Sequence, residues 1–288
     1  MSATQEARVF FVETLQRRKR ENRQGKLLPI GHRAGAKARV LKDPRGETPE
    51  PGFPTVDGPH YYDVLAALHD FVTPEWYFEI GTNRGGSLEV CPGKFIAVDP
   101  QLILTNFSMK DRPEGHFFQI TSDGFFDLGF LEGLGIRPEL GFLDGMHRFE
   151  FLLRDFMNFE KRSAPGAIAI LHDCLPFTAA MTARDWDPKK TRQWTGDVWK
   201  TLAILLKHRP DLQIDVLDAY PTGLVILRNL DAENTALAGC YDAVVAEFLD
   251  TDIAAFGPAT YFDMFQIQSS HAAIAALRAT GGPAAAAA

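Results

Sequence analysis

Two short stretches carry side chains able to hold a cation and move a proton in one place. Leu143-Asp144-Gly145-Met146-His147 and Leu171-His172-Asp173-Cys174 each close an apolar run that reads as a strand. Asp144 and His147 are three positions apart at a helix start, so both can face one cleft. Asp144 and Asp173, on neighbouring strand ends, can share a divalent cation. Hard cations such as Mg²⁺ take one or two carboxylates, and waters and substrate oxygens complete the shell. An imidazole, with a reference pKa of about 6.5, accepts a proton near neutral pH. A lone strand-end Asp is often only a helix cap. Two acids with two histidines on adjacent strand ends point instead to a functional cluster.

A second set of residues suits a nucleoside. Glu79-Ile80 runs into Gly81-Thr82-Asn83-Arg84-Gly85-Gly86-Ser87. The spacing is GxxxGG, not the GxGxxG of dinucleotide binders or the GxxxxGK[ST] of phosphate loops, and it contains no Lys. Such glycines allow a tight strand-to-helix turn and close approach of a ligand, or make a plain turn. Free amides at the following helix start would suit a carboxylate. Asp99 closes the next strand, where an acid accepts hydrogen bonds from ribose hydroxyls or caps a helix. The combination suggests a nucleoside with a small acidic or zwitterionic attachment. Ser122 and Asp123, after the third strand, either meet an adenine edge or cap the helix that follows.

Positioning these groups needs a particular scaffold. The apolar runs are Trp76–Ile80, Phe95–Val98, Phe117–Ile120, Leu140–Leu143 and Ala167–Leu171, lengths that suit strands buried on both faces. Helical stripes alternate with them, at Phe149, Leu152, Leu153 and Phe156, and from about Val198 through Leu202, Leu205 and Leu206. That alternation predicts a parallel sheet covered on both sides. The runs Leu212–Leu217 and Leu224–Leu227 are too closely linked for a crossover, so they pair antiparallel. Further helices are expected at 236–250 and 271–279. Trp194 and Trp199 either wall the cleft or pack around the helix from about 197.

Composition narrows the classes. The chain has 288 residues, 45% apolar and 23% charged, with 30 basic against 37 acidic side chains, net −7. Nucleic-acid binding by bulk charge is disfavoured. The run Arg17-Arg18-Lys19-Arg20 reads as the solvated end of a helix over 1–24, with a local nucleic-acid or anionic-surface patch as the other reading. Cys91, Cys174 and Cys240 form no CxxC pair and no disulfide framework, which suits a reducing compartment. The longest apolar runs, such as Leu202–Leu206, fall far short of the roughly 20 residues of a membrane span. The polar N-terminus lacks a signal-peptide pattern, so a cytoplasmic location is expected. The domain plan is an N-terminal helix and extended loop (1–58), a central domain (59–230), a C-terminal helical extension (231–280) and a disordered tail (281–288).

In this order, Glu79-Ile80-Gly81, Gly85-Gly86-Ser87, Asp99, Asp144-Gly145-x-His147 and His172-Asp173 resemble the class I S-adenosylmethionine-dependent methyltransferases. The likeness is closest to the metal-dependent macrocin and sugar O-methyltransferases, and catechol O-methyltransferase is more distant. It covers roughly residues 60–230. It implies an α/β fold with a Rossmann-like, doubly wound, seven-stranded and mostly parallel sheet that includes one antiparallel strand. It also implies roles. Glu79, Gly81, Asn83, Gly85 and Ser87 would border the methionine part of the cofactor, with Asp99 on the ribose and Ser122 and Asp123 near adenine. Asp144, itself beside the cofactor, would ligate Mg²⁺ with Asp173, and His147 stands where relatives carry the general base. Residues 193–200 resemble a segment that lies over the active site in bacterial members. Cys174 departs from the Asp-Asn of catechol-type enzymes, and a thiolate suits Mg²⁺ poorly, which leaves the third ligand and the metal requirement open. The implied reaction is O-methylation of a small-molecule or sugar hydroxyl. A nicotinamide-dependent oxidoreductase is the first alternative, disfavoured by the glycine spacing. A non-catalytic cofactor-binding subunit is the second, disfavoured by the Asp144, His147 and Asp173 set. Homo-oligomerisation through the C-terminal helices stays open.

Overall fold

The computed structural model describes residues 48–280. The expected helix over 1–24 with its basic run, most of the loop over 25–58 and the tail 281–288 lie outside the described residues.

The chain forms an α/β structure around an eight-stranded sheet of order β3-β2-β1-β4-β5-β7-β6-β8. The strands are β1 (Trp76–Ile80), β2 (Lys94–Val98), β3 (Gly115–Phe118), β4 (Leu140–Leu143), β5 (Ile168–His172), β6 (Gln213–Leu217), β7 (Leu224–Arg228) and β8 (Ile267–Gln268). β1 to β5 pair in parallel, and β7 runs antiparallel to both β5 and β6. The one reversed strand is therefore present, as β7. An eighth strand is added, because β8, in the C-terminal extension between the helices expected at 236–250 and 271–279, pairs parallel with β6. The third strand lies two residues earlier than expected. Gln119 and Ile120 leave the ladder so that Thr121 can cap the next helix, its hydroxyl accepting the Gly124 N–H at 3.2 Å.

All residues of β1, β4 and β5 are buried. Alternation along β1 sends Phe78 and Ile80 to one face and Tyr77 and Glu79 to the other. The first face packs on helices α2 (Ser122–Asp127), α3 (Phe130–Leu134), α4 (Phe149–Arg162) and α5 (Trp199–His208), and Phe149, Leu152, Leu153 and Phe156 of α4 are all buried there. Each such side chain contributes about 1.5–3 kcal/mol. The other face is covered by α1 (Tyr61–Val72) and α9 (Ser270–Thr280), which pack on one another. Helices α6 (Ala236–Phe248), α7 (Ile253–Phe256) and α8 (Pro258–Phe262) lie between β7 and β8. No described helix is long and apolar enough to cross a membrane.

The expected helix after the glycine loop is absent. Only a four-residue 3-10 turn, Ser87–Val90, forms before Pro92 and Gly93 end it. The Arg112 guanidinium takes up the stranded carbonyls, donating to Leu88, Glu89 and Cys91 O. A turn this short offers no helix N-terminus to an anion.

Candidate active site

The strand ends meet as the sheet order requires. Gly81 turns out of β1 at φ 90°, and a Cβ there would stand 1.8 Å from Asp144 O, so only glycine fits. The Gly81 N–H donates to Val98 O (2.9 Å), and the Asp144 N–H donates to Ile80 O (2.9 Å). Asp99 folds back on the same loop. Its carboxylate accepts the Asn83 N–H at 2.8 Å and the Gln101 N–H at 2.6 Å. Glu79, Gly81, Asn83, Asp99, Asp144, His147 and Asp173 thus border one rim. The expected ribose ligand is already a latch for the loop, although a carboxylate has lone pairs to spare.

Asp144, His147 and Asp173 form a tight cluster, each offering one potential ligand atom within 4.8 Å of the others. His147 Nε2 is 3.7 Å from Asp144 Oδ1, and Nδ1 is 3.3 Å from Asp173 Oδ2. Asp173 reaches inward from a left-handed turn (φ 64°), which Asp tolerates better than most residues. Buried His172 stands between the acids, with Nδ1 3.2 Å from Asp144 Oδ1 and 3.3 Å from Asp173 Oδ1. Burial opposes its charge, but Asp173 and Asp144 outweigh that and push the imidazole up to about 9. Its Nε2 lies 3.4 Å from the Thr222 hydroxyl, which donates to Asp173 Oδ1. Cys174 points away, its thiol contacting Val198 O in the core, where burial pushes it up and keeps it protonated. It supplies no ligand.

Segment 193–200 is pinned over His147. His147 Nδ1 is 2.9 Å from Trp194 O, and the two rings stack at 5.0 Å. Gly196 (φ 57°) packs against His147 O, and the Asp197 N–H donates to that carbonyl. Trp199, by contrast, is buried against Phe256 and Tyr261, which is the packing role.

Beneath the glycine loop, Glu79 is fully buried. Its Oε2 accepts the Tyr77 hydroxyl at 2.7 Å. Burial pushes its carboxyl up to about 7, against the Tyr77, Ser87 and Thr82 hydroxyls. Ser122 donates to Asp155, and Arg154 holds Asp123 by two bonds, Nε–Oδ1 3.0 Å and Nη2–Oδ2 2.6 Å. Both side chains expected near adenine are thus engaged at the start of α2.

Sequence reasoning missed Tyr61, Tyr62, Phe107 and Thr222. The Tyr61 ring lies 4.3 Å from that of His172, and burial, helped by Asp144, pushes its phenol well above its usual range. The Tyr62 hydroxyl abuts Gly86, and Phe107 abuts Gly85. No local pattern marks them, because their partners lie tens of residues away. The void bounded by Asp144, His147, His172 and Asp173 is about 10 Å³, room for about one water or ion. Nucleoside-sized ligands need roughly 300 Å³ or more. At the glycine loop, Tyr62 and Phe107 occupy the space directly against Gly86 and Gly85.

No family model matches the chain, and no curated protein matches its sequence. Solved structures that overlap it include the O-methyltransferase from Bacillus cereus in complex with SAH, at 14% identity and TM-score 0.45, covering 59% of this chain and 80% of that one. O-methyltransferase TomG from Streptomyces achromogenes, involved in tomaymycin synthesis and solved with SAM, overlaps at 16% identity and TM-score 0.37, covering 58% and 77%. MycE methyltransferase from the mycinamycin biosynthetic pathway, solved with Mg, SAH and mycinamycin VI, overlaps at 16% identity and TM-score 0.37, covering 60% and 50%. At these identities and scores the functional reading has to come from this chain's own residues.

Proposed function

We propose that the protein is an S-adenosylmethionine-dependent O-methyltransferase acting on a small-molecule hydroxyl, a sugar hydroxyl included. The observation that carries this reading is the convergence of the glycine loop, Asp99, Asp144, His147 and Asp173 on one rim of a doubly wound sheet, where such folds hold their ligands.

The donor chemistry fits both groups the reading needs. Glu79 is buried beneath the loop with the Tyr77, Ser87 and Thr82 hydroxyls turned to its carboxyl, and Asp99 keeps accepting capacity for ribose hydroxyls. Two carboxylates a few ångströms apart suit Mg²⁺, which must compete there with the His172 cation. When bound, the cofactor would supply an activated methyl group, and the metal on Asp144 and Asp173 would polarise the acceptor hydroxyl. His147 does the proton work. With its Nδ1–H donated to Trp194 O, the lone pair sits on Nε2, which accepts the acceptor's proton. Asp173 beside Nδ1 offsets the positive charge that forms. Trp194 over the ring limits water. Residues 59–230 carry this activity, and 231–280 extend the sheet edge and cover α1.

The test is methyl transfer from labelled cofactor into pooled hydroxyl compounds, with and without Mg²⁺. His147→Ala should slow transfer about 10²–10⁴-fold while calorimetry finds S-adenosylhomocysteine bound as tightly as by the parent. Equal transfer rates would remove His147 from the base role, and failure of the parent to bind the cofactor would end the proposal.

A further inference from the structure

The described residues also enclose a cavity away from this rim. About 660 Å³ opens at the opposite end of the sheet, where β1 and β3 begin, bordered by Trp76, His116, Phe130, Glu75, Glu114 and Glu139. It lies about 15 Å from the glycine loop, one five-residue strand away. Ligands of doubly wound sheets sit at the other rim, so this cavity lies apart from the proposed transfer site.

Its walls are aromatic and its edge acidic. The Trp76 and His116 rings are 5.7 Å apart, and His116 and Phe130 are 5.1 Å apart. Three glutamates border it against one arginine, Arg137, whose Nε donates to Ser163 O. Glu139 gives only Oε2 to the Trp76 N–H, at 2.9 Å. The protein already lodges a cation on this wall. Lys94 Nζ stands 5.1 Å from the Trp76 ring centroid and 2.9 Å from Glu75 Oε1. Ring face plus carboxylate is the pairing that recognises ammonium groups. The volume far exceeds a metal ion and matches an organic molecule.

We infer that this cavity is a second binding site, for an organic cation in which an ammonium group is joined to an aromatic or alkyl body. The ammonium meets the glutamates and the body lies against Trp76 and Phe130.

Calorimetry on the full chain tests this with benzyltrimethylammonium, benzyl alcohol and phenylmethanesulfonate. The cation should bind at least about tenfold more tightly than the alcohol, and the sulfonate should not bind. Glu114→Gln and Glu139→Gln, which keep the hydrogen bonds to His116 and the Trp76 N–H, should each weaken the cation about five- to tenfold. Ala164→Phe, which fills the cavity, should abolish binding. Equal affinity for cation and alcohol, or unchanged affinity in both glutamine variants, overturns the inference. S-adenosylhomocysteine affinity, read separately on the same proteins, should not move, so this site and the proposed transferase site succeed or fail apart.

Discussion

Asp197 joins the segment over the site to the helix that begins two residues after its base. It is 2% exposed. Its Oδ1 accepts the Phe149 N–H at 3.0 Å, capping α4, and its Oδ2 receives Lys200 Nζ (2.9 Å) and Arg184 Nη1 (2.6 Å). Lys200 is also 2% exposed, so Asp197→Ala leaves a buried ammonium with the Leu249 carbonyl and the Phe149 ring face but no counter-charge within ion-pair distance among the described residues. Breaking a buried pair from one side costs about 3–5 kcal/mol, and the lost cap adds about 1 kcal/mol. At roughly 2–4 °C per kcal/mol for a chain of this size, the melting temperature should fall by about 10–20 °C. Adding Lys200→Met should recover most of the ion-pair part and none of the cap. Because the Asp197 carboxylate also anchors the Phe149 amide two residues after His147, methyl transfer should fall beyond what unfolding accounts for. Calorimetric melting of the parent, both single variants and the double variant checks this. A shift under 2 °C for Asp197→Ala, or additive single effects, would refute the coupling.

Asp99→Ala should both loosen the Asn83 and Gln101 amides and weaken S-adenosylhomocysteine, whereas Asp99→Asn should keep one amide bond and lose less affinity; equal affinity in all three proteins refutes the ribose role. Asp155 is buried beside Gly145, and burial pushes its carboxyl up to about 7 from an ordinary 3.8. A raised folded pKa gives stability that is complete below about pH 4 and is lost as pH climbs through 7. Asp155→Asn should therefore gain on the parent by a few kcal/mol between pH 4 and 7, then hold level, as chemical denaturation at each pH would show. Gly81→Ala should yield little folded protein, since its Cβ meets the Asp144 carbonyl in a left-handed turn; soluble expression at the parent's level would contradict this.

The sheet was legible where one face or both dictated the pattern. β1 and β4 coincide with their apolar runs because every residue there is buried, and α4 shows the 3.6-residue stripe that packs it. Errors fall where tertiary contacts override local signals. The glycine loop promised a helix, but Pro92 and Gly93 cut it to a turn that Arg112 completes from 21 to 24 positions on. β8 has two residues, too few for periodicity to register. The cluster's acids and His147 were readable from strand-end position. The His172 ion pair was not, because a sequence shows the histidine but not that Asp144 and Asp173 enclose it. The roles of Tyr62 and Phe107 depend on segments folded back over the rim, which no spacing encodes.

That cover sets a cost on the proposed cofactor. Phe107 is 9% exposed, packed on Phe95 and Phe117, with Arg112 over its ring. Its segment is tied to the glycine loop by Ile103 and Leu104 N–H to Asn83 O and by Asn106 N–H to Arg84 O. Exposing the ring costs about 2 kcal/mol, and exchanging three surface hydrogen bonds for water adds about 1–2 kcal/mol. The open form is then about 1% of the population or less, and apparent affinity falls by the same factor. Phe107→Ala removes about 2 kcal/mol of that cost. It should bind S-adenosylhomocysteine about thirtyfold more tightly even though it lowers global stability. In the parent, hydrogen exchange at Ile103, Leu104 and Asn106 should quicken when the ligand is added. Slower exchange at these amides, with weaker binding by Phe107→Ala, would mean that the ligand closes this segment instead of displacing it.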